Sequence, residues 1–265
     1  MQYNSIDGVV IRTSDYGAND RYLSILTAEE GRITLLSKGS RSLKGEQLPI
    51  SQPFTYCNYE YYRRGNVNIL KGGSVLSSFY GIGKNLETVA LAYYLCDLAC
   101  ELSDEGEEAG ELLRLVLNSF YAISSGGKYP LALIKGAFEW RVAAISGYLP
   151  ELESCERCGK RVEDEFYLHV MNGAILCKDC LRRGGLERRG EDERGEELLC
   201  PLTPSVLAAM RYCLQAPTER LFSFAFSDEE ELSAFGRVAE AYILSHLGRG
   251  FKTLEYYHST LELSL

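Results

Sequence analysis

The stretch "SIDGVVIRTSDYGANDRYLSILTAEEGRITLLSKG", residues 5–39, decides the fold of the first part of this chain. It contains runs of β-branched and aromatic residues separated by Gly, Asp and Asn, and two similar runs follow it. Such runs predict strands, and Gly31 suits a hairpin turn between the second and the third. The five predicted strands lie at 5–13, 21–28, 31–39, 53–62 and 66–78. Five short strands in about eighty residues predict a small closed barrel.

Apolar residues recur at intervals of three and four from about residue 84 onward. This period predicts helices that pack on one another. The predicted helices lie at 86–102, 107–123, 130–147, 203–215 and 227–248. Pro130 suits the first turn of the third helix and Gly147 its end. Trp140, the only tryptophan, falls in that helix and is predicted to be a core residue.

The last two predicted helices carry terminal signals. Thr203 suits the N-cap of the fourth and Pro204 its first helical position. Ser227 with Glu230 has the spacing of a capping box, and Gly248 suits the C-terminus of the fifth helix.

Two C-x-x-C pairs stand in the middle of the chain, within "CERCGKRVEDEFYLHVMNGAILCKDC". They are formed by Cys155, Cys158, Cys177 and Cys180. This spacing predicts one structural Zn²⁺ per chain, held by a zinc ribbon whose two strands turn at "NG". Disulfides and a redox C-x-x-C are the alternatives, but two matched pairs without a secretion signal favour metal. Four thiolates complete a tetrahedron, so His169 is interpreted as a strand side chain and the ion as non-catalytic.

These patterns predict an α+β fold class: an N-terminal five-stranded OB-type β-barrel followed by an all-α domain with an inserted four-cysteine zinc ribbon. The predicted domains are the barrel at 1–80, the helical domain at 81–150 and 185–265, and the ribbon at 151–184. Residues 181–197 are rich in glycine and mixed charge, which predicts a solvated linker.

The composition is that of a globular protein, and no apolar run approaches the roughly 20 residues that span a bilayer. The N-terminus lacks the features of a secretion signal. We therefore expect a cytoplasmic protein without a membrane partner. The remaining cysteines are expected to be buried free thiols, and they are Cys57, Cys96, Cys100, Cys200 and Cys213.

The formal net charge of −9 is unevenly distributed. Residues 1–80 contain nine Lys or Arg and seven Asp or Glu, so the remainder carries −11. A polyanion would therefore bind to the first eighty residues. The segment 41–49 has no periodicity and is predicted to be a mobile basic loop.

The chain offers little for catalysis. "GIGKNLET" lacks the third glycine of a dinucleotide site, and "KGGSVLSS" lacks the spacing of a phosphate-binding loop. The three histidines fall in the ribbon, near a predicted helix end and in the C-terminal tail, at His169, His246 and His258. The sequence therefore predicts that the protein is not an enzyme.

A small barrel with basic loops and aromatic residues is suited to single-stranded nucleic acid, since cations contact phosphates and rings stack on bases. The candidate phosphate contacts are Arg12, Arg21, Lys38, Arg41 and Lys44. The candidate stacking residues are Tyr16, Tyr22, Tyr56, Tyr59, Tyr61 and Tyr62. The alternative is that these residues are ordinary core and solvated surface.

The stretches 9–42 and 53–70 resemble the N-terminal domain of the RecO family of bacterial recombination mediators. In that family an R-x-x-D-Y/F-G-E-x-D-R segment leads to a K-G-x-R loop. The order of barrel, helices, four-cysteine ribbon and further helices, with "LGRGFKTLEYY" near the end, is also similar, so the resemblance covers nearly the whole chain.

The resemblance implies a DNA repair and recombination protein that binds single- and double-stranded DNA and anneals complementary strands. It implies RecR as a partner, the C-terminal tail of single-strand-binding protein as another, and RecA indirectly, through its loading onto coated strands. It also implies nucleoid association during repair. Carried onto this sequence, it assigns Arg12, Arg21, Lys38 and Arg41 to DNA and the four cysteines to zinc.

Two other functions remain open from the residues. One is an adaptor that docks RecR and single-strand-binding protein through barrel and helical surfaces without itself binding DNA. The other, a zinc-dependent hydrolase, needs an open metal position that four thiolates do not leave.

Overall fold

The computed structural model describes residues 3–42, 45–161, 166–183 and 199–263. The chain forms two compact units, one of Met1–Leu131 with Phe251–Leu265 and the other of Ala132–Gly250. The chain combines strands and helices, so the predicted α+β fold class is confirmed. The three-part domain division expected from the sequence stays a prediction.

Five strands open the first unit: β1 (Tyr3–Tyr16), β2 (Asp20–Thr27), β3 (Arg32–Ser37), β4 (Thr55–Arg64) and β5 (Val67–Ser78). They close into a barrel in the order β1-β2-β3-β5-β4. β3 and β5 run parallel, and every other neighbouring pair runs antiparallel. The five predicted strands are confirmed, and their arrangement is compatible with an OB-type barrel.

Alternating side chains fill the barrel because successive residues of a strand point to opposite faces. The interior cluster consists of Ile6, Val10, Leu23, Ile25, Ile33, Leu35, Ile50, Cys57, Tyr59, Tyr61 and Leu70. The predicted Gly31 hairpin joins β2 to β3, with a φ of +62° at Gly31. A side chain there would place its Cβ 2.0 Å from the Asp104 carbonyl oxygen, so glycine is required by close approach as well.

Three helices complete the first unit: α1 (Leu86–Glu101), α2 (Gly110–Ser124) and α7 (Lys252–Glu262). Two short 3₁₀ turns accompany them, at Pro49–Ser51 and Tyr80–Lys84. α1 and α7 pack together, and the Tyr94 and Phe251 rings lie 5.9 Å apart. The sequence did not predict α7, and His258, assigned to a tail, lies within it.

The second unit combines helices with a small sheet. The helices are α3 (Leu131–Ile145), α4 (Lys178–Arg183), α5 (Pro204–Gln215) and α6 (Glu229–Leu247). The strands are β6 (Glu151–Cys155), β7 (Phe166–His169), β8 (Ala174–Cys177) and β9 (Leu199–Leu202). They pair in the order β6-β8-β7-β9. The predicted hairpin of β7 and β8 is confirmed, whereas β6, β9 and α4 were not predicted.

α3 and α6 approach closely because small residues face large ones. A Cβ at Gly136 would lie 2.6 Å from the Phe235 ring, so the ring occupies that space. Trp140 is fully buried against Tyr242, at 4.9 Å between ring centroids, which confirms it as a core residue. Arg141 donates its Nε to the Cys213 carbonyl at 2.7 Å, at the C-terminus of α5.

Most helix boundaries follow the predicted signals. The Thr203 hydroxyl accepts the Val206 N–H at 3.2 Å, and Gly248 ends α6 in the left-handed conformation, with a φ of +64°. The predicted N-cap of α6, Ser227, was wrong by one residue. Asp228 is the N-cap, and its side chain accepts the Glu231 N–H at 2.8 Å.

The structure corrects the expected burial of one cysteine and does not test most of the predicted linker. Cys200 is half-buried, whereas the other four cysteines outside the C-x-x-C pairs are buried as predicted. Beyond Arg183, the predicted linker lies outside the described residues. No helix in the described part of the chain is long and apolar enough to cross a membrane.

Candidate metal centre and nucleic-acid interface

The structure brings the four predicted metal ligands together. Cys155 ends β6 and Cys158 lies in the turn after it, while Cys177 ends β8 and Cys180 lies in α4. Their sulfur atoms all lie within 4.8 Å of one another. Cysteine sulfurs at this separation, from two C-x-x-C pairs, could hold one metal ion.

Main-chain geometry holds these sulfurs in place. Gly159, with a φ of +66°, donates its N–H to the Cys155 carbonyl at 2.8 Å and so closes the turn between the first two cysteines. The Cys177 N–H lies 3.3 Å from the Cys155 sulfur, and the Cys180 N–H lies 3.4 Å from the Cys177 sulfur. Such donors orient sulfur ligands and stabilise their negative charge.

The same donors affect thiol ionisation. Burial disfavours a thiolate at Cys155, but the N–H groups of Cys177, Cys158 and Arg157 outweigh it and lower its pKa to about 6. Hydrogen bonds with the Cys158 and Cys177 thiols raise the pKa of Cys180 to about 12. The donor set thus starts with one readily formed thiolate, and a divalent cation would displace the remaining protons.

His169 is not part of this cluster in the described residues. Its side chain is buried at the end of β7, and its Nδ1 accepts the Asn172 N–H at 3.1 Å. This contact fixes the turn between β7 and β8, which agrees with its interpretation as a strand side chain.

Three of the predicted DNA contacts meet at one end of the barrel. We call the barrel tip the group Asp15, Arg21, Lys38 and Arg41, at the β1–β2 turn and the end of β3. Asp15 pairs with Arg21 across β1 and β2, and Arg21 pairs with Ser37 across β2 and β3. The barrel register therefore brings the basic residues together.

Asp15 joins the two arginines of the barrel tip. Arg21 Nε lies 3.1 Å from Asp15 Oδ1, and Arg41 Nη2 lies 3.3 Å from Asp15 Oδ2. Arg41 also donates through Nη1 to the Gly17 carbonyl at 3.2 Å and through its main chain to the Asn19 carbonyl at 3.0 Å. The guanidinium groups are therefore oriented before any ligand binds, although both remain accessible to solvent.

The segment after β3 is tied to the same end. The Gly39 N–H donates to Asp20 Oδ1 at 2.8 Å, and the buried Ser40 hydroxyl donates to the Ser37 carbonyl at 3.1 Å. Lys38 is exposed beside them and forms no ion pair with any described residue. Its ammonium is available to an external anion. The mobility expected of segment 41–49 stays a prediction, and Leu43 and Lys44 lie outside the described residues.

Arg12 lies apart from the barrel tip. Its Nη2 donates to Asp97 Oδ1 of α1 at 2.8 Å, while Asp97 Oδ2 accepts the Thr253 hydroxyl of α7 at the same distance. Arg12 therefore links the barrel to two helices of its own unit.

The candidate stacking residues divide by burial. The prediction that Tyr59 and Tyr61 stack on bases was wrong, because both side chains lie in the barrel core. Their hydroxyls donate to the Ile50 carbonyl and to Glu30, respectively. Burial raises the pKa of Tyr59. Tyr16 is half-exposed beside the barrel tip, with its ring 5.0 Å from that of Tyr22.

Two other candidate stacking residues lie elsewhere. Tyr62 pairs with Tyr3 at the other end of β1, and Tyr56 is half-buried in β4.

The sequence reasoning missed the two carboxylates that organise this end of the barrel, Asp15 and Asp20. Their signal was present in the hairpin: counting outward from the Gly17 turn places Asp15 opposite Arg21. These features define an α+β protein with a small barrel that is basic at one end and a separate four-cysteine cluster able to hold a metal.

Comparisons with known proteins extend this class to a family. The model of the recombination protein O N terminal domain matches residues 1–79, and that of the recombination protein O C terminal domain matches residues 83–255. Together they cover almost the whole chain. The chain belongs to the RecO family of DNA repair proteins.

Curated relatives agree with this assignment. A DNA repair protein RecO from Acetivibrio thermocellus is 28% identical, over 97% of this chain and 96% of the relative. Another from Anaeromyxobacter dehalogenans is 32% identical over 68% of this chain and 71% of its own length. A third, from Clostridium acetobutylicum, is 24% identical over 83% of each chain.

Proposed function

We propose that this protein is a non-catalytic recombination mediator that binds single- and double-stranded DNA and anneals complementary strands. With RecR, it would help to load RecA onto DNA coated by single-strand-binding protein, whose C-terminal tail it would also contact. These partners are the ones that the resemblance to the RecO family implies. Work on chromosomal DNA implies a cytoplasmic, nucleoid-associated location.

The observation that carries the proposal is the convergence of Arg21, Lys38 and Arg41 on the barrel tip. Net charge is negative over the chain as a whole, so a cluster of cations is informative about where a polyanion binds. Three cations, one on β2 and two in the segment after β3, can contact successive phosphates, and Tyr16 offers a ring beside them.

Annealing requires no bond to be made or broken. Two complementary strands repel each other through their phosphates, and cations that neutralise those phosphates lower the repulsion while leaving base edges accessible. Each contacted phosphate contributes about 0.7 to the logarithmic salt dependence of single-strand binding. Three contacts therefore predict a slope of about −2.

We further propose that the four cysteines hold one structural Zn²⁺ per chain. Four sulfur donors without a vacant position favour zinc and leave no place for an activated water, in agreement with a non-catalytic protein. The ion would tie the turn after β6 to the start of α4. Cys155→Ser should lower zinc to well below one per chain and destabilise the second unit, whereas Cys200→Ser should leave zinc unchanged.

The test of function is strand annealing by Lys38→Ala/Arg41→Ala. Loss of two phosphate contacts should weaken DNA binding about tenfold or more, reduce the salt slope by about 1.4, and slow annealing to match. The matched control is Arg63→Ala/Arg64→Ala, which removes the same charge from exposed residues at the end of β4. This control should retain most of the binding.

Equal loss in both double variants would show that overall charge, rather than the barrel tip, sets affinity. Negligible DNA binding by folded wild-type protein that still binds RecR would favour the adaptor function. One observation speaks for that alternative: Arg21 and Arg41 already share a carboxylate partner.

A further inference from the structure

Three exposed tyrosines lie where the barrel is followed by the helices of the first unit. Tyr80 in the second 3₁₀ turn is 86% exposed, Tyr121 on α2 is 67% exposed, and Tyr93 on α1 is 40% exposed. One exposed ring is ordinary, but several together indicate a binding surface, because aromatic side chains are enriched at interfaces. We call these three residues the tyrosine surface.

Tyr93 and Tyr121 share an aromatic support. The Phe54 ring lies 4.8 Å from that of Tyr93 and 5.4 Å from that of Phe120, the residue before Tyr121. Phe54 has a φ of +64°, a conformation that bulky residues rarely adopt, so the packing of its ring must stabilise it. The packing around Phe54 therefore fixes the positions of both exposed tyrosines.

Tyr80 joins the same support from the 3₁₀ turn. Phe79 precedes it, and the Phe79 ring lies 5.5 Å from that of Phe120 on α2. Gly81 follows it, and a Cβ there would lie 2.4 Å from the Ser124 carbonyl oxygen, so the turn lies directly against the end of α2. The residues on both sides of Tyr80 thus contact the helix that carries the second exposed ring.

The tyrosine surface adjoins the barrel tip through Tyr93. Asp97 of α1 binds Arg12 of β1, and Tyr93 lies about 6 Å before Asp97 on the same face of the helix. Along β1, Asp15 of the barrel tip lies about 10 Å beyond Arg12. Burial raises the pKa of Tyr93, and the Arg21 charge opposes this shift, so the two side chains lie close together. A ligand bound at the barrel tip can therefore reach Tyr93.

The charges at the tyrosine surface favour a polyanion. The surface is formed by three segments of the chain, 52–54, 79–93 and 117–131. Their charged side chains are Lys84 and Lys128, which are exposed, and Glu87, which is half-buried. Lys128 Nζ lies 5.0 Å from the centre of the Tyr129 ring, and the pKa of Lys128 is raised first by Tyr129 and further by Tyr121. In a chain with a net charge of −9, an excess of cations beside exposed rings is informative.

Carboxylates of the neighbouring elements lie at a distance. The Phe251 ring packs on Tyr94, and the Thr253 hydroxyl binds Asp97, so α7 runs toward the C-terminal end of α1 and takes its two glutamates with it. On the barrel, Glu60 lies about 17 Å along β4 from the start of that strand. The cations of the tyrosine surface are therefore not offset by these groups.

We propose that the tyrosine surface is a base-stacking platform that receives a single DNA strand as it leaves the barrel tip. Bases stack on Tyr93 and then on Tyr80 and Tyr121, while Lys84 and Lys128 contact phosphates. Stacking on rings needs no particular sequence, because every base has an aromatic face. The inference rests on the proposed DNA binding and adds to it a preference for single strands, since the bases of a duplex already stack on each other.

The test compares Tyr80→Ser/Tyr121→Ser with Tyr3→Ser/Tyr256→Ser, a control that removes two exposed rings elsewhere in the same unit. Fluorescence anisotropy measures binding to oligothymidylate of about 15 nucleotides, to an abasic strand of equal length and to a duplex. The first variant should bind oligothymidylate about tenfold more weakly, with an unchanged salt slope because no phosphate contact is lost. Its affinity for the abasic strand and the duplex, and all affinities of the control, should stay within about twofold.

Two further variants test the other parts of the platform. Lys84→Gln/Lys128→Gln should reduce the salt slope for the long single strand by about 1.4, and should leave binding of a strand too short to leave the barrel tip unchanged. Tyr93→Ser should weaken oligothymidylate binding about fivefold, whereas Tyr93→Phe, which keeps the ring, should bind as the wild type does.

The outcomes separate this proposal from the barrel tip itself. Wild-type affinity for oligothymidylate in Tyr80→Ser/Tyr121→Ser, with loss in Lys38→Ala/Arg41→Ala, would leave the barrel tip as the DNA site and overturn the platform. An equal loss of affinity for the abasic strand would also overturn it, because the rings would then act without stacking on bases. Loss in the tyrosine variant alone would support the platform and remove the barrel tip from DNA binding.

Discussion

Among the described residues, each unit contains a network that joins three acidic and basic side chains, and the two networks differ in their contact with water. In the barrel tip, Asp15 pairs with Arg21 and Arg41, and its side chain is 54% exposed. In the second unit, Lys135 lies 2.8 Å from Glu139 and 2.7 Å from Glu240, with Lys135 and Glu139 almost completely buried. An exposed network can exchange a partner for a ligand at little cost, whereas a buried one cannot lose a member without leaving a charge in the core.

The buried network gives the largest expected effect. Lys135→Met should lower the free energy of unfolding by about 3–5 kcal/mol, because Glu139 then keeps its charge in the interior without this cation. Urea denaturation measures the change. The double variant Lys135→Met/Glu139→Leu should recover most of it, and Lys128→Met, at an exposed lysine, should change stability by less than about 0.5 kcal/mol. A loss below about 1 kcal/mol for Lys135→Met would mean that water reaches this site.

The buried network also predicts a dependence on pH. Burial alone would lower the pKa of Lys135, but Glu139 and Glu240 outweigh it and raise the pKa above its ordinary value of 10.5. A raised pKa means that the folded state holds this proton more tightly than the unfolded state, so the stabilisation is complete below 10.5 and is lost as pH rises through the folded value.

The stability gap between wild type and Lys135→Met should therefore be constant from about pH 7 to 9 and narrow above about 10.5. Measuring the difference between the two proteins removes the contribution of the many tyrosines, which titrate in the same range and are common to both. A gap that narrows below about pH 9 would contradict the direction of this shift.

The exposed network should respond in ligand binding rather than in stability. Asp15→Asn should change the free energy of unfolding by less than about 1 kcal/mol. It should raise affinity for single-stranded DNA several-fold, because two guanidinium groups lose a competing carboxylate and their positive charge is no longer offset. Fluorescence anisotropy at two salt concentrations measures both the affinity and the salt slope.

Asp7→Asn is the matched control, since Asp7 is exposed on β1 away from the barrel tip. An equal gain in DNA affinity in both variants would show that net charge alone causes the effect. A loss of affinity in Asp15→Asn alone would mean that this carboxylate orients Arg21 and Arg41 for phosphate, rather than competing with it.

The contrast also shows what the sequence can predict. The barrel strands were predictable because alternation of apolar and polar residues indicates a strand with one buried face. β6 and β9 were not, since four or five residues carry too little periodicity. α7 was not predicted either, because it has few apolar residues to show a helical period. Only Leu254, Tyr257 and Thr260 are buried in it. At α6, Ser227 and Asp228 are both good caps, and sequence spacing alone cannot choose between neighbours.

The two candidate sites differ in the same way. The four cysteines were predictable because each pair is local, and the turn at Gly159 depends on few residues. The barrel tip depends on register across three strands, so the convergence of Arg21 and Arg41 on Asp15 follows only from the folded barrel. Tyr59 and Tyr61 were misassigned because tyrosine suits both a barrel core and a stacking surface, and the alternation of β4 decides which.

The Arg12–Asp97 pair is intermediate in exposure between the two networks, and its removal should have the smallest effect on stability and DNA affinity. It was predicted to contact DNA, yet it pairs with Asp97, whose side chain is 26% exposed, and Thr253 supports that carboxylate. Arg12→Ala should therefore lower the free energy of unfolding by about 0.5–1 kcal/mol and change DNA affinity less than twofold. Asp97→Asn should reproduce the stability loss. If Arg12→Ala instead weakens DNA binding as much as Arg41→Ala does, the Asp97 pair opens for phosphate, and the DNA-binding surface continues from the barrel tip along β1 toward α1.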